Sequence, residues 1–543
     1  MVACRVLTLG SMLLLTACPW LEEKASPPMD PCPPPGARPS DDGRARIWQR
    51  GPGCTDLWLD EKVSYPVARP QDLPLVSSGE AGFEALAQEG EQHWYFTAQL
   101  EGEPFGVPAE LMDAWIGNRP VEDVDALFET LEDVWHTGLV HIPGEELPRG
   151  LVRINEPEAL ATQNCSACHS GVVKGKLFAG VGNKWYDQKQ LIRFARAMME
   201  DGLPEPGVDD ELRARIERQM AKLDRYDALY GNGCADLGPG MITAARIWEI
   251  SSKLLTDPAQ LADPAQAPRF LCGATKPPPL NTVRFRNQLF WDGSVSTLWV
   301  THWPMFDFFG FDDYQRWSNK VVTREIQAMD AFIIFKSPSP TWEEVMDTAV
   351  DATAAARGME IFHRQDLCAS CHGSYAADGM LTSFSPSTTP LELIRTDVER
   401  AVAATDEVLQ QFTQYQWVQV PRLEHAEGFA PGYAAMPLCS TFLNFPYLHT
   451  AGVANLMELL TEETARSPSY WQSDVTDDEN VGFFTSVDPP DTRGVAPEPR
   501  VVQRTFRPEL VHGHSGERFG TGLSLEEKRD LLEYLKSLRC PSW

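Results

Sequence analysis

The stretch that most restricts what this chain can become occurs twice, as Cys165-Ser-Ala-Cys168-His169 and as Cys368-Ala-Ser-Cys371-His372. In a Cys-x-x-Cys-His run both thiols can add covalently to a porphyrin while the adjacent imidazole ligates its iron, which is how c-type haem is attached. Two copies predict two covalently bound haem c groups, held by Cys165, Cys168, Cys368 and Cys371, with His169 and His372 on the irons. Other uses of Cys-x-x-Cys explain less. A Cys4 zinc ribbon brings its pairs together over roughly 15–20 residues, whereas these histidines are 203 residues apart. A thioredoxin-type motif accounts for neither the histidine nor the duplication.

Haem attached through thioethers is made outside the bacterial inner membrane, and the N-terminus fits export. Met1 to Ala17 carries Arg5, an apolar run through Leu13-Leu14-Leu15 and then Thr16-Ala17-Cys18. These are the charged, apolar and small-residue regions of a signal peptide, expected over 1–17. Leu15-Thr16-Ala17-Cys18 resembles a bacterial lipobox, which would make Cys18 a lipidated residue and the chain a periplasmic or cell-surface lipoprotein. The apolar run is short of the ~20 residues a spanning helix needs, so the membrane is expected to be met by the lipid anchor alone. Of the 12 cysteines, six remain outside signal and motifs: Cys32, Cys54, Cys234, Cys272, Cys439 and Cys540. An even number in an oxidising compartment predicts disulfides, with the pairing left open.

The formal charge of −30 speaks against nucleic acid and anionic membranes as partners. It suits a basic electron-donor protein, and equally a general need for solubility.

With 543 residues, 43% of them hydrophobic, the chain can bury several cores. Residues 18–78 have the Pro-, Gly- and charge-rich composition of a tether, including Cys32-Pro-Pro-Pro-Gly36. Helical periodicity then predominates, over Phe83–Phe96, Ala109–Ile116, Val121–His136, Asp209–Tyr230, Gly238–Leu255 and Thr323–Lys336. Ser337-Pro-Ser-Pro340 reads as a linker. Thr341-Trp-Glu-Glu344 and Ser524-Leu-Glu-Glu527 read as capping boxes, the first opening a helix toward the second motif and the second opening the last helix. The expected fold class is mainly α, with two cytochrome c-like haem domains, over 79–336 and 341–543, long loops and little β.

Each motif is followed by a related pair of segments. Pro278-Pro-Leu-Asn281 leads to Leu289-Phe-Trp-Asp-Gly-Ser-Val295, and Met436-Pro-Leu-Cys439 leads to Phe445-Pro-Tyr-Leu-His-Thr-Ala-Gly-Val453. At these residues the chain resembles the bacterial di-haem cytochrome c peroxidase superfamily, from about residue 145 to the C-terminus. Within it, Asn164 to Gly171, Cys371-His-Gly-Ser-Tyr375, Ile394-Arg-Thr-Asp397, Pro446-Tyr-Leu-His449 and Phe519-Gly-Thr-Gly-Leu-Ser524 look most like the branch of rubber-cleaving di-haem oxygenases.

The resemblance implies an oxidoreductase that activates hydrogen peroxide or dioxygen at the His169 haem and relays electrons through the His372 haem. Peroxidase and oxygenase chemistry both stay open. Trp291 matches the tryptophan between the haems of peroxidase relatives, with a core aromatic as the plainer reading. The branch often supplies a second axial ligand from a Gly-His-Glu-aromatic-Gly run. Here Gly516-Glu517-Arg518-Phe519-Gly520 has Glu517 at that position, and His514 upstream is the expected substitute, with His512 further away. His302 is a candidate proton-handling group over the first haem, or a packed or surface histidine. His449 is expected beside the second haem. The aromatic run Trp299–Phe311 lines a substrate channel or fills a core. A non-catalytic di-haem electron carrier is the alternative, and a gas or redox sensor a weaker one.

Overall fold

Each half of the chain pairs its first long helix with its last. In the computed structural model Gly79–Phe96 packs against Arg324–Lys336, and Ala352–Phe362 against Leu525–Ser537. A glycine lies at both crossings. A Cβ on Gly90 would sit 1.8 Å from the Ala328 carbonyl oxygen, and one on Gly358 2.0 Å from that of Asp530. Only a residue without a side chain lets two backbones approach so closely. The structure describes 46–50, 56–60, 79–96, 106–117, 138–155, 158–202, 209–231, 239–250, 271–293, 324–384, 387–403, 431–490, 500–503 and 511–541, with some single positions inside these ranges excepted. Cys18, Cys32, Cys54, Cys234, the Val121–His136 segment, His302 and the Trp299–Phe311 run lie outside the described residues.

The local signals explain the second pair. Ala352–Phe362 buries Ala354, Gly358, Ile361 and Phe362, a stripe at helical spacing. Asp351 caps it, its carboxylate accepting from the Thr353 and Ala354 amides at 2.9 and 3.0 Å. Leu525–Ser537 opens with the expected capping box of Ser524 and Glu527 and buries Leu531, Leu532 and Leu535. The Thr341–Glu344 capping box also forms. The helix it opens is only Trp342–Val345, however, because Met346 turns extended and a new cap at Asp351 starts the helix that reaches the second motif. The expected Asp209–Tyr230 helix runs over Asp210–Tyr226 and continues as a π-turn at Asp227–Gly231. The Gly238–Leu255 expectation needs correction at its start, where Ile242–Thr243 forms a strand against Ala274–Thr275.

Among the described residues helix outweighs strand by more than two to one. Strands among the described residues make short antiparallel pairs and one three-stranded sheet, Val107–Pro108, Leu160–Gln163 and Leu151–Ile154 in that order. No helix there is long and apolar enough to cross a membrane.

Residues 31–543 form one compact unit. One large core among the described residues is built on Trp342, Phe362, Phe384, Phe442, Leu443 and Phe483, and Val173, Phe178, Val181 and Phe285 from the first half join it. Burial of each such side chain contributes about 1.5–3 kcal/mol. Cys439 and Cys540 form a disulfide with Cα atoms 5.1 Å apart, tying the end of the last helix to the Met436-Pro-Leu-Cys439 segment. Cys272 is likewise disulfide-bonded. The Ser337–Pro340 connection is held rather than loose: Ser440 Oγ donates to the Pro340 carbonyl at 2.7 Å, and the Cys540 amide to Ser339 Oγ at 2.9 Å.

Candidate functional site

The second motif opens onto an apolar cavity. Its helix, Ala369–His372, ends at Gly373 with φ +84°, where a Cβ would meet the Ser383 carbonyl oxygen at 2.4 Å. Cys368, Cys371 and His372 line a space of about 220 Å³ with Leu448, Leu456, Leu460, Leu531 and Leu535 among its other walls. His372 Nδ1 lies 2.7 Å from the Met436 carbonyl oxygen. That acceptor requires the proton on Nδ1, which leaves the Nε2 lone pair to a metal.

Across the cavity stands His514, its ring centroid 6.4 Å from that of His372. Two imidazoles on one metal at about 2.0–2.1 Å per bond would place their centroids roughly 6 Å apart. The spacing therefore suits a single ion between them. Burial, and then the neighbouring His372, push the His514 pKa down to about 3; burial lowers that of His372 as well. Both rings are thus neutral at pH 7, the form that ligates. Glu517, at the position where the branch would have its histidine, is exposed and is not in the cavity wall, whereas Phe519 packs on His514 at 4.7 Å.

The first motif is set differently. Asn164 caps the Cys165–His169 helix, its Oδ1 accepting from the Ser166 amide at 3.1 Å, while its Nδ2 donates to the Trp94 carbonyl at 3.3 Å. Trp94 Nε1 donates to Ser170 Oγ at 2.9 Å, so the long first helix is fastened to both ends of the motif. Asn183 closes the other side, its amide bonding the Cys168 carbonyl at 2.8 Å and its Nδ2 the Ala167 and Gly138 carbonyls at 2.8 and 2.7 Å.

All four motif cysteines are thiols, in a chain that elsewhere forms disulfides. Burial pushes Cys168 and Cys368 up to about 12, and Cys165 up as well. Cys165, Cys168 and Cys368 are thus protonated at neutral pH, unlike the low-pKa thiolates of redox motifs. Among the described residues no three His, Cys, Asp or Glu side chains converge as a metal cage.

The two repeated segments cross each other. Lys276 and Ala434 are 158 residues apart, as are Trp291 and His449. The Lys276 amide donates to the His449 carbonyl at 2.7 Å, and the Ala434 amide to the Trp291 carbonyl at 2.7 Å. These reciprocal bonds describe a pseudo-two-fold relation. The same offset pairs the 3₁₀ turns Val283–Phe285 and Thr441–Leu443, and the left-handed residues Phe290 (φ +58°) and Leu448 (φ +63°).

Trp291 lines the cavity of the second motif, donates from Nε1 to the Lys276 carbonyl at 2.8 Å, and lies 6.5 Å from the His449 ring. His449 stacks on Tyr433 at 4.0 Å. Burial, Arg400 and Lys276 together push its pKa down to about 3. Lys276 Nζ donates to the Asn444 carbonyl and to that of Pro446 at 2.5 Å, and lies 5.3 Å from the Trp291 ring centroid. Burial pushes its pKa down to about 7, against two acceptors that favour the ammonium. Asp292, next to Trp291, is fixed by a buried pair of contacts to Arg400 at 3.1 and 3.2 Å. The first motif is joined to this crossing through backbone bonds from Gly180 to His169 at 2.8 Å and from Leu280 to Gly180 at 2.6 Å.

The structure thus gathers His372, His514, Trp291 and His449 around one cavity, with the His169 motif tied in behind it. Sequence reasoning missed Lys276, Tyr433 and the carbonyl of Met436. The last was within reach, since Met436 opens the segment repeated after each motif; a lysine ahead of a proline run gives no signal. No protein-family model matches the chain, and no curated protein matches it in sequence.

Proposed function

We propose that the chain is an exported di-haem c-type oxidoreductase with two cytochrome c-like units, over 79–336 and 341–543, which activates hydrogen peroxide or dioxygen at the His169 haem and exchanges electrons with the His372 haem. One observation carries the reading: two neutral imidazoles, His372 and His514, stand 6.4 Å apart, centroid to centroid, in the wall of one apolar cavity that also includes two thiols. Cys368 and Cys371 would hold the second porphyrin, and Cys165 and Cys168 the first. A haem c iron supplies one-electron chemistry, and chemistry on peroxide or dioxygen when one axial position is open. Were His372 and His514 both to hold that iron, the second site would fit relay rather than chemistry.

The protein's own residues then divide the work. The Met436 carbonyl orients His372, and the leucines of the cavity exclude water. Trp291, contributed by the first unit to the cavity wall of the second motif, would couple the two sites. The acidic surface would receive a basic electron-donor protein, and lipidation at Cys18 would keep the molecule at a membrane. His302 remains the proposed proton-handling residue of the first site.

The test is the intact mass of the exported protein, with optical and electron paramagnetic resonance spectra before and after peroxide or dioxygen. The expected result is a mass gain of two haem groups, one low-spin haem with nitrogen ligands on both faces and one that reacts. Absence of covalent haem would overturn the reading. Two haems that stay six-coordinate and inert to both oxidants would favour the alternative, a di-haem electron carrier.

A further inference from the structure

His372 and His514 are aimed by different means. The His372 ring is fixed through its own Nδ1, bonded to the Met436 carbonyl. The Nδ1 of His514 is buried and has no hydrogen-bond partner among the described residues. Its backbone is also costly, with φ +50° at His514 between Gly513 at +93° and Gly516 at +111°. A non-glycine residue in that region is held there by its surroundings. The aim of this ring therefore depends on what clasps the loop.

The clasp is Arg466. Its side chain is buried, and every nitrogen of the guanidinium donates to backbone carbonyls. Nη1 bonds Val511 and Gly513 at 2.7 Å each, and Nη2 bonds His514 at 3.0 Å. On its other side Nη2 bonds Leu459 at 3.2 Å, and Nε bonds Glu458 at 3.1 and Thr461 at 3.0 Å. Three of the six acceptors belong to the His514 loop and three to the segment that follows the cavity-lining Leu456. A planar fork with five N–H groups can serve both at once; a lysine cannot. Lesser ties assist, from the Gly513 amide to Glu463 at 2.8 Å and from Ser515 Oγ to Glu462 at 2.6 Å.

We propose that Arg466 is the positioning residue for the second axial ligand, and that it keeps the His372 site closed by holding the 511–514 backbone in the strained form that sets the His514 ring 6.4 Å from that of His372. This rests on the reading of His514 as that ligand. Loosening the clasp opens the sixth position without touching the metal or either imidazole.

The experiment compares spin state and binding of added imidazole in the haem-loaded protein, for wild type, His514→Ala, Arg466→Met and Arg466→Lys. Wild type is expected to be low-spin at this site and indifferent to imidazole. Arg466→Met is expected to show a high-spin fraction that added imidazole converts back, with internal ligation weakened by roughly 10–100-fold, the range seen when an outer partner of a metal ligand is lost. Arg466→Lys keeps charge and stem without the fork and is expected to give a smaller fraction with the same response. It carries the test if Arg466→Met does not accumulate. Low-spin, imidazole-indifferent spectra in the Arg466 variants, alongside a high-spin His514→Ala, would overturn the proposal. A low-spin His514→Ala would instead overturn the ligand reading beneath it.

Discussion

The segments 276–293 and 434–451 share a backbone and differ in what they carry. Both contain a 3₁₀ turn and a left-handed residue at the same offset, and each lends an amide to the other's carbonyl. Yet Lys276 faces Ala434 in this correspondence, Trp291 faces His449, and Asp292 faces Thr450. A doubled scaffold thus acquires direction from its side chains alone. The cation and the indole sit on one side of the pseudo-two-fold axis, the imidazole on the other.

Removing the ammonium should break this arrangement most severely. In Lys276→Met the carbonyls of Asn444 and Pro446 lose their donor in a buried site. A loss of roughly 2–4 kcal/mol of stability is expected by chemical denaturation, since each buried unsatisfied acceptor costs about 1–3 kcal/mol. A loss below about 1 kcal/mol would mean that water replaces the cation.

The helix crossings test whether the two halves are equivalent. Gly358→Ala and Gly90→Ala should each cost about 2–3 kcal/mol, because the new Cβ would overlap a backbone oxygen of the partner helix. If only one of them lowers the melting midpoint, the halves are not equally dependent on their closing pairs.

A smaller effect should follow from Trp291→Phe, which keeps an aromatic ring but drops the bond to the Lys276 carbonyl. On the proposed di-haem function, electron exchange between the sites, followed by flash photolysis or stopped-flow reduction, is expected to slow about tenfold, or about 1.4 kcal/mol in barrier. An unchanged rate would return Trp291 to the role of a packed aromatic.

His449 gives a test of another kind, through pH. It is neutral when folded, with a pKa of about 3 against roughly 6.5 in an unfolded chain. Between those values the unfolded state binds the extra proton, so stability is greatest above about pH 6.5 and falls as pH drops toward 3. In His449→Phe that part of the acid loss should flatten, read as a shallower pH dependence of the unfolding midpoint. A slope identical to wild type would show that His449 is not the group responsible.

Much of the local structure was legible in advance. The capping boxes at Thr341 and Ser524 form as read, because they depend on side chains within three residues of one another. The helices at 79–96, 210–226 and 324–336 follow from periodicity. The reading failed where a distant partner intervenes, as Ala274–Thr275 takes Ile242–Thr243 into a strand, and where the backbone turns extended at Met346 and stops the Thr341 helix after one turn. His514 entered through the resemblance, as the histidine nearest the run in which Glu517 takes the expected position. Arg466, Lys276 and Tyr433 could not be found, since an arginine whose partners are six carbonyls looks in sequence like any surface cation.

The sequence by itself determined the two Cys-x-x-Cys-His motifs, the thiols and imidazoles they offer, and the segments repeated after them. Those are covalent facts of neighbouring residues and survive any folding. Only the tertiary structure decided that His372 meets His514 and not Glu517, and that Trp291 stands opposite His449 with Lys276 at its face. Such pairings depend on where loops 142 or 158 residues apart are clasped, by carbonyls, left-handed backbone and buried cations that leave no pattern along the chain.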